Sequence, residues 1–167
     1  PGGSSATAAY VDLPNGIVSS LTDATFETWV TQSSDQAWSR LFDFGTNTNG
    51  EQGGAGGAGN GTDYFIFALN RGATPLTQRL EFVNDTVGAG SFDAGANISL
   101  NVPHHIVITF DDLAPNFSIA LWYLDGVPMG GGVMTANLND INDVNNWLGR
   151  SNWGGDANTD ASYDQFA

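Results

Sequence analysis

The chain has 167 residues, of which 41% are apolar and 11% aromatic, enough for one domain with a substantial hydrophobic core. Eighteen acidic residues against four arginines and no lysine give a net charge of −14, which excludes the basic patch that nucleic acid or an anionic membrane requires. The sequence has no cysteine for disulfides or thiolate metal sites, and no apolar run long enough to span a bilayer.

Short runs rich in β-branched and aromatic residues recur along the chain, separated by turn-forming residues. They cover residues 25–30, 40–44, 64–69, 79–83, 105–110 and 117–124. Side chains alternate clearly where Phe42 and Phe44 flank Asp43, as in a half-buried strand. No segment of helical length keeps a 3.6-residue period. The pattern predicts an all-β, antiparallel two-sheet jelly-roll sandwich, in a single domain over residues 1–167.

Three features of the intervening segments bear on the fold and the surface. Asp125-Gly126 directly follows the last run and predicts a two-residue hairpin turn with positive φ. The glycine-rich segment 45–62 is expected to be either a flexible excursion or part of a binding surface. Four Asn-X-Ser/Thr triplets, which chance could produce in this composition, leave glycosylation open. They begin at Asn60, Asn84, Asn97 and Asn116.

The order and spacing of several motifs resemble those of laminin G-like, concanavalin A-like jelly-roll domains. The matching segments are residues 10–14, 25–30, 40–45, 104–111, 121–126, 146–151 and 161–166. The resemblance implies a family of carbohydrate-binding appendages, adhesion modules and receptor-binding domains, often with bound calcium. The strands expected before Tyr10 and after Phe166 are lacking. We therefore expect a domain truncated at both ends, or a sheet edge completed by another chain.

The acidic residues do not form the pattern that glycoside hydrolysis requires. The three glutamates, Glu27, Glu51 and Glu81, are not part of an alternating acidic cluster on one strand. A nucleophilic triad would need a histidine, and His104 and His105, at the start of a strand, are expected to be structural. The sequence predicts a protein without catalytic activity.

Tryptophans in predicted loops are the candidate ligand-binding residues, because sugar sites combine an exposed aromatic platform with polar side chains. Trp38 lies in a polar stretch, and Trp153 lies beside Arg150 and Asn152; these four residues form the predicted ligand site. Trp147 also lies in or beside a predicted loop. The alternative is that the loop tryptophans pack as lids on the sandwich. Trp29, within an apolar run, is expected to lie in the core.

Oxygen-bearing side chains occupy every second position from residue 156 to residue 160. Asp156, Asn158 and Asp160, together with Asp164, could surround a calcium ion, which prefers several oxygen ligands. The segment lacks the glycine and the glutamate of an EF-hand loop. A polar turn is the alternative explanation for the same residues. Calcium is therefore the expected cofactor, with the polar turn left open.

Together these features predict a non-catalytic, extracellular or cell-surface module of a larger secreted or surface protein. Its expected partner is a glycan or another cell-surface ligand, and neither nucleic acid nor membrane insertion is expected. The alternative is a structural subunit of a bacterial surface layer or filament. In that alternative, copies of the chain would assemble through sheet edges.

Overall fold

A computed structural model describes residues 2–4, 7–51, 59–72, 77–95 and 98–167. In this part of the chain the regular structure consists of strands and one short 3₁₀ helix, Leu138–Asp140. The strands are β1 (Gly3–Ser4), β2 (Val11–Leu13), β3 (Ala24–Gln32), β4 (Ser39–Asn47), β5 (Gly61–Asn70), β6 (Gln78–Asn84), β7 (Gly88–Ala94), β8 (Pro103–Ala114), β9 (Phe117–Leu124), β10 (Val127–Met134), β11 (Asn145–Leu148), β12 (Ala157–Asn158) and β13 (Ala161–Asp164). Among the described residues, no helix has the length and apolar character needed to cross a membrane.

Two antiparallel sheets face each other across the core. The six-stranded sheet has the order β2-β11-β4-β5-β6-β7, and the five-stranded sheet has the order β10-β9-β8-β3-β13. Strands β1 and β12 form a separate two-stranded pair. The predicted all-β two-sheet sandwich is confirmed, and each of the six predicted runs lies within one of the observed strands. Strand β1 precedes Tyr10, where the sequence predicted none.

The core is built from the inward-facing aromatic residues of both sheets. Phe65 on β5 is fully buried and contacts Phe26 of β3 with 5.7 Å between ring centroids. Its ring also lies 5.6 Å from that of Phe110 on β8, at a T-shaped angle of 75°. On the same strand, Phe67 contacts Trp122 of β9 at 5.9 Å. Burial of these large apolar side chains is the main force that holds the two sheets together.

Strand β3 presents its tryptophan to solvent. Phe26, Thr28 and Val30 are buried, whereas Trp29 is 43% exposed. The prediction that Trp29 lies in the core is wrong. Adjacent residues of a strand face opposite sides, and the inward position belongs to Val30.

Strand β4 is buried along its whole length, on both faces. Phe42 and Phe44 face the core, as the alternation predicted, but Asp43 on the outer face is also fully buried. The segment after β11 covers this face, and Asn152 of that segment donates hydrogen bonds to Asp43. On the neighbouring strands, Tyr64 of β5 and Arg79 and Glu81 of β6 remain partly exposed on this face.

The predicted hairpin turn is confirmed. Asp125 and Gly126 join β9 to β10 with φ values of 51° and 78°, the left-handed values that a two-residue turn of this kind needs. Residues 52–58 of the glycine-rich segment 45–62 lie outside the described residues, as does Asn97. The described ends of that segment belong to β4 and β5.

Candidate functional site

A cleft of about 330 Å³ lies on the outer face of the six-stranded sheet. Its floor comes from β4, β5 and β6, and its walls come from the turn before β4 and the segment between β11 and β12. The lining side chains are Trp38, Arg40, Tyr64, Ile66, Arg79, Glu81, Trp153 and Asp156. The lining combines aromatic rings with charged and hydroxyl groups, which suits a polar organic ligand with apolar faces.

The floor follows from side-chain alternation in two paired strands. On β5, Tyr64 and Ile66 face outward, because Phe65 between them is fully buried in the core. Ile66 pairs with Glu81 across the ladder between β5 and β6. Arg79 is two residues before Glu81 and therefore shares its face. Tyr64, Arg79 and Glu81 are thus partly exposed on this face, whereas Ile66 between them is only 1% exposed, at the bottom of the cleft.

Arg40 joins the two walls of the cleft from below. Its side chain is only 2% exposed, and its Nη2 donates to Asp156 Oδ2 at 3.0 Å. Its Nη1 donates to the Trp38 carbonyl at 2.6 Å, and its Nε lies 3.4 Å from Asp43 Oδ2. The guanidinium carbon is 5.2 Å from the Trp38 ring centroid and 5.3 Å from that of Trp153. One buried cation therefore positions both tryptophans.

Asp43 and Asn152 fasten the covering segment to the sheet. The backbone N–H and Nδ2 of Asn152 donate to the two oxygens of Asp43 at 2.8 and 2.7 Å. Asn152 Oδ1 accepts in turn from the side chains of Asn47 and Asn145. Burial raises the pKa of Asp43, and the charge of Arg40 and the Asn152 hydrogen bonds offset part of that rise. Asn152 is therefore a positioning residue beneath the cleft.

Trp153 stands on the sheet beside Tyr64. The two rings make an edge-to-face contact with 4.6 Å between centroids and 75° between planes. The backbone N–H of Trp153 donates to Ser151 Oγ at 3.0 Å, and that hydroxyl donates to Asp156. Burial raises the pKa of Tyr64, so its hydroxyl remains a hydrogen-bond donor through the ordinary pH range.

Trp38 adopts a left-handed backbone conformation, with φ at 61°. This conformation costs about 1–3 kcal/mol for a bulky residue and persists only when its surroundings hold it. Its backbone N–H donates to the Asn70 carbonyl at 2.6 Å, and its own carbonyl accepts from Arg40. The guanidinium of Arg79 lies 5.7 Å from the indole centroid. The backbone hydrogen bonds of Trp38 and the guanidinium groups of Arg40 and Arg79 therefore fix the position of its indole at the cleft.

A charged network forms the outer rim of the cleft. Arg79 donates to both oxygens of Asp93, at 2.7 and 3.0 Å, and lies 3.5 Å from Glu81. Arg71 contacts the same Asp93 carboxylate at 3.2 Å. The hydrogen bond from Arg79 lowers the pKa of Asp93 despite its partial desolvation. With Arg40, three of the four arginines of a strongly acidic chain therefore lie in or beside this cleft.

The structure brings two of the four predicted ligand-site residues together. Trp38 and Trp153 both line the cleft. Asn152 is fully buried beneath it, and Arg150 is 2% exposed, with its guanidinium carbon 4.2 Å from the Trp147 ring centroid. Neither Asn152 nor Arg150 reaches the surface of the cleft, because the segment folds back onto the sheet, where Asn152 donates to Asp43 and Arg150 stacks on Trp147.

The four predicted calcium ligands have separate surroundings. Asp156 contacts Arg40, and the buried side chain of Asn158 donates to the carbonyls of residues 8 and 9. Asp160 accepts from Ser34, whereas Asp164 lies exposed on β13. Across the described ranges, no three acidic or histidine side chains are grouped as metal ligands. The residues do not fit a common ion, and calcium binding stays a prediction from the sequence.

Sequence reasoning missed the sheet residues of the cleft. Tyr64 and Ile66 lie in a continuous apolar run, so their outward direction is visible only once Phe65 is assigned to the core. Arg79 and Glu81 alternate with buried residues on β6, and this alternation is the signal that could have found them. Which outer sheet face stays open depends on the covering segment, which local sequence does not reveal.

These observations define the class of protein: an antiparallel β-sandwich that has an aromatic-lined cleft on the outer face of one sheet. A family model described as the concanavalin A-like lectin/glucanases superfamily matches residues 5–167, and the chain belongs to that superfamily. This confirms the resemblance seen in the motifs. A comparison with curated protein sequences finds no match.

Several solved structures are similar to this fold. Domain 4 of an extracellular GH43 arabinanase from Geobacillus stearothermophilus, in complex with arabinotriose, has a TM-score of 0.59 at 13% identity, covering 92% of this chain and 64% of that chain. The Ruminococcus gnavus IT-sialidase CBM40, bound to α2,3 sialyllactose, also has a TM-score of 0.59, at 15% identity over 95% of this chain and 90% of that chain. An alginate lyase in complex with alginate trisaccharide reaches 0.51 at 12% identity, covering 94% and 72%. At such identities the likeness is one of fold, and the fold is shared by binding modules and an enzyme.

Proposed function

We propose that this chain is a non-catalytic carbohydrate-binding module that holds a glycan in the cleft between Trp38 and Trp153. The observation that carries the proposal is the placement of two indole rings on the walls of one polar cleft, both supported by Arg40. Pyranose and furanose rings present apolar C–H faces that stack on indoles, and hydroxyl groups that require hydrogen-bonding partners around them.

The remaining lining supplies those hydrogen-bonding partners. Glu81 accepts, Arg79 donates, and the phenol of Tyr64 does both. The cleft of about 330 Å³ is at the small end of ligand sites and suits a short saccharide segment or a chain end. Arg79 on the rim of the cleft is already paired with Glu81 and Asp93. The rim therefore favours ligand hydroxyl groups over a single charged group on the ligand. Per-site dissociation constants of about 1 μM to 1 mM are expected, with avidity from multivalent presentation.

A binding role without catalysis is supported by the carboxylates at the base of the cleft. Glycoside hydrolysis needs two carboxyl groups that face the scissile bond and exchange protons with it. Both oxygens of Asp43 accept hydrogen bonds within the protein, and the residue is fully buried. Asp156 Oδ2 accepts from both Arg40 and Ser151. Glu81, the other carboxylate that lines the cleft, lies 3.5 Å from Arg79. Each of these acids thus has a partner within the protein, which supports binding rather than proton transfer to a ligand.

We place the module outside the cell, within a larger secreted or surface protein. The absence of lysine and the high net negative charge favour solubility and disfavour nucleic acid. The arabinanase that contains one similar domain is itself extracellular. The alternative of a self-assembling structural subunit stays a prediction, and sedimentation velocity over a hundredfold concentration range tests it. A concentration-dependent polymer that binds no glycan would favour that alternative.

The proposal is tested by a glycan array followed by calorimetry with the best-bound oligosaccharide. We expect Trp38→Ala and Trp153→Ala each to weaken binding at least tenfold, since truncation of a stacking aromatic removes a dominant contact. Phe117→Ala, which removes an exposed aromatic side chain at the start of β9 on the opposite sheet, is the matched control and should leave the affinity unchanged. Circular dichroism confirms that each variant is folded. Equal affinity in all three variants, or the lack of any bound glycan, would refute the proposal.

A further inference from the structure

We propose that the outer face of the five-stranded sheet carries a second saccharide-binding site, with Trp29 as its platform. A shallow pocket of about 350 Å³ lies there, on the side of the sandwich opposite the cleft. Its lining residues are Trp29, Thr31, Pro103, Ser162, Tyr163, Asp164 and Gln165. The proposal is independent of the cleft, because the two sites share no lining residue.

The indole of Trp29 is both exposed and held in place. Its side chain is 43% exposed, on a strand where Val30 and Thr28 take the buried positions. His105, its partner on β8, stacks on it with 5.0 Å between ring centroids and 22° between planes. Glu27 Oε2 lies 3.8 Å from His105 Nε2, beside the same imidazole. A ring fixed before binding loses less conformational freedom when a ligand stacks on it.

Polar groups are arranged in two rows beside this ring. In the first row, Asp164 of β13 pairs with Trp29, and Trp29 pairs with His105. In the second row, Ser162 pairs with Thr31. Paired residues of neighbouring strands point to the same side of the sheet, so the carboxylate and the two hydroxyls lie on the face of the indole. One aromatic platform with a carboxylate and hydroxyls alongside is the composition of a sugar site.

The charges around the platform select the kind of saccharide. Asp164 lines the pocket and Glu27 lies beside His105, while the described residues that line the pocket include no lysine or arginine. Uronic and sialic acids would meet repulsion there. We therefore assign the site to neutral or amino sugars. A protein partner is disfavoured, since the cores of protein interfaces are depleted of charge, and among the described lining residues Trp29 is the one exposed large aromatic residue.

The two faces together would make the chain bivalent. Core residues such as Val30 separate the pocket from the cleft, so one molecule could bridge two glycan strands on its opposite surfaces. Bridging raises overall avidity without any new contact at either site.

The experiment is a titration monitored by the NMR signals of the five tryptophan indoles, each assigned with a tryptophan-to-phenylalanine variant. The probes are cellohexaose, chitohexaose, chitosan hexamer and, as the anionic comparison, hexagalacturonate. We expect the Trp29 signal to shift and saturate with at least one neutral or amino sugar and to remain unmoved by hexagalacturonate. The Trp153→Ala variant should keep this response, which separates it from binding in the cleft.

Three variants make the assignment falsifiable. Trp29→Ala should weaken binding at this face at least tenfold, read from the shifts of the neighbouring β13 amides, and Asp164→Asn should weaken it about threefold. Thr25→Ala, also exposed on β3 but outside the pocket, is the matched control and should have no effect. An unmoved Trp29 signal in a folded protein would overturn the proposal, as would unchanged affinity in Trp29→Ala. A Trp29 signal that moves on dilution without sugar would overturn it by showing that a second copy covers this face.

Discussion

Gly61 lies directly beneath the indole of Trp153. A Cβ atom added at Gly61 would be 2.5 Å from the nearest ring carbon, closer than side chains approach one another. The same indole makes an edge-to-face contact with the ring of Tyr64. The beginning of β5 and the covering segment therefore pack against each other at this point. The position of one cleft wall therefore depends on the absence of a side chain on the floor.

Gly61→Ala should displace Trp153 and weaken glycan binding without unfolding the sandwich. The indole must move because the ring lies within contact distance of the added methyl group. We expect a loss of affinity of about fivefold to thirtyfold and a fall of about 1–2 kcal/mol in the free energy of unfolding. Calorimetry and urea denaturation measure the two effects.

The matched control is Gly155→Ala, in the same covering segment. A Cβ atom at Gly155 meets nothing within 4 Å. This variant should retain both affinity and stability. If the two alanine variants behave alike, the Gly61–Trp153 contact does not position the cleft wall.

Asn152→Ala should destabilise the protein more than a typical surface substitution. It removes a hydrogen bond to the buried Asp43 carboxylate and leaves the amides of Asn47 and Asn145 without this acceptor. We expect the free energy of unfolding to fall by about 2–4 kcal/mol. Exposed Asn142→Ala is the control and should change it by less than about 0.5 kcal/mol. A loss below about 1 kcal/mol for Asn152→Ala would show that this hydrogen-bond network contributes little.

The strands could be predicted from the sequence because their alternation is local. Phe42 and Phe44 around Asp43 indicate both a strand and its inward face, and the structure agrees on the two phenylalanines. The same pattern assigned Trp29 wrongly, since hydrophobicity alone favours a tryptophan for the core. The register of β3 against β8, a long-range property, decides that Val30 takes the inward position.

Of the residues that line the cleft, only the two wall tryptophans could be predicted from the sequence as ligand-binding residues. Trp38 and Trp153 are conspicuous because large aromatic residues are rare in polar loops. Arg150 and Asn152, next to Trp153 in the chain, were grouped with it by proximity in sequence. In the folded chain the segment turns, so that Asn152 faces the sheet and Trp153 faces the cleft. Such a change of direction depends on tertiary hydrogen bonds, which no local pattern encodes.

Stability should fall with rising pH above about pH 10, where unfolded tyrosines ionise. Burial raises the pKa of both Tyr64 and Tyr163 in the folded protein. A raised folded-state pKa contributes stability that is complete below the unfolded value and is lost as pH rises through the folded value. Urea denaturation at several pH values from about 8 to 11.5 measures the slope.

Tyr163→Phe isolates one of the two contributions. The variant loses hydrogen bonds from its hydroxyl to the carbonyls of Arg40 and Leu41, so it should be less stable at neutral pH. Its stability should nevertheless fall less steeply above about pH 10 than that of the unaltered protein. Parallel pH profiles for the two proteins would contradict a raised pKa at Tyr163.

The melting temperature with and without calcium tests whether the segment 156–164 binds this ion. Asp156 contacts Arg40 and Asn158 donates to backbone carbonyls, so we expect the melting temperature to differ by less than about 1 °C between excess calcium and chelator. A calcium-dependent rise of several degrees, removed by Asp160→Asn, would instead support the metal site that the sequence predicted.

The hairpin between β9 and β10 should be sensitive to backbone conformation and insensitive to packing. Gly126 has φ at 78°, and an added Cβ atom would meet nothing within 4 Å, so steric contact cannot explain any loss. Gly126→Ala should lower the free energy of unfolding by about 1 kcal/mol, the cost of a left-handed conformation for an ordinary residue. Gly126→Asn should lose less, because asparagine tolerates this conformation. Equal losses in the two variants would mean that positive φ is not what this turn requires, and the sequence signal at Asp125-Gly126 would then need another physical explanation.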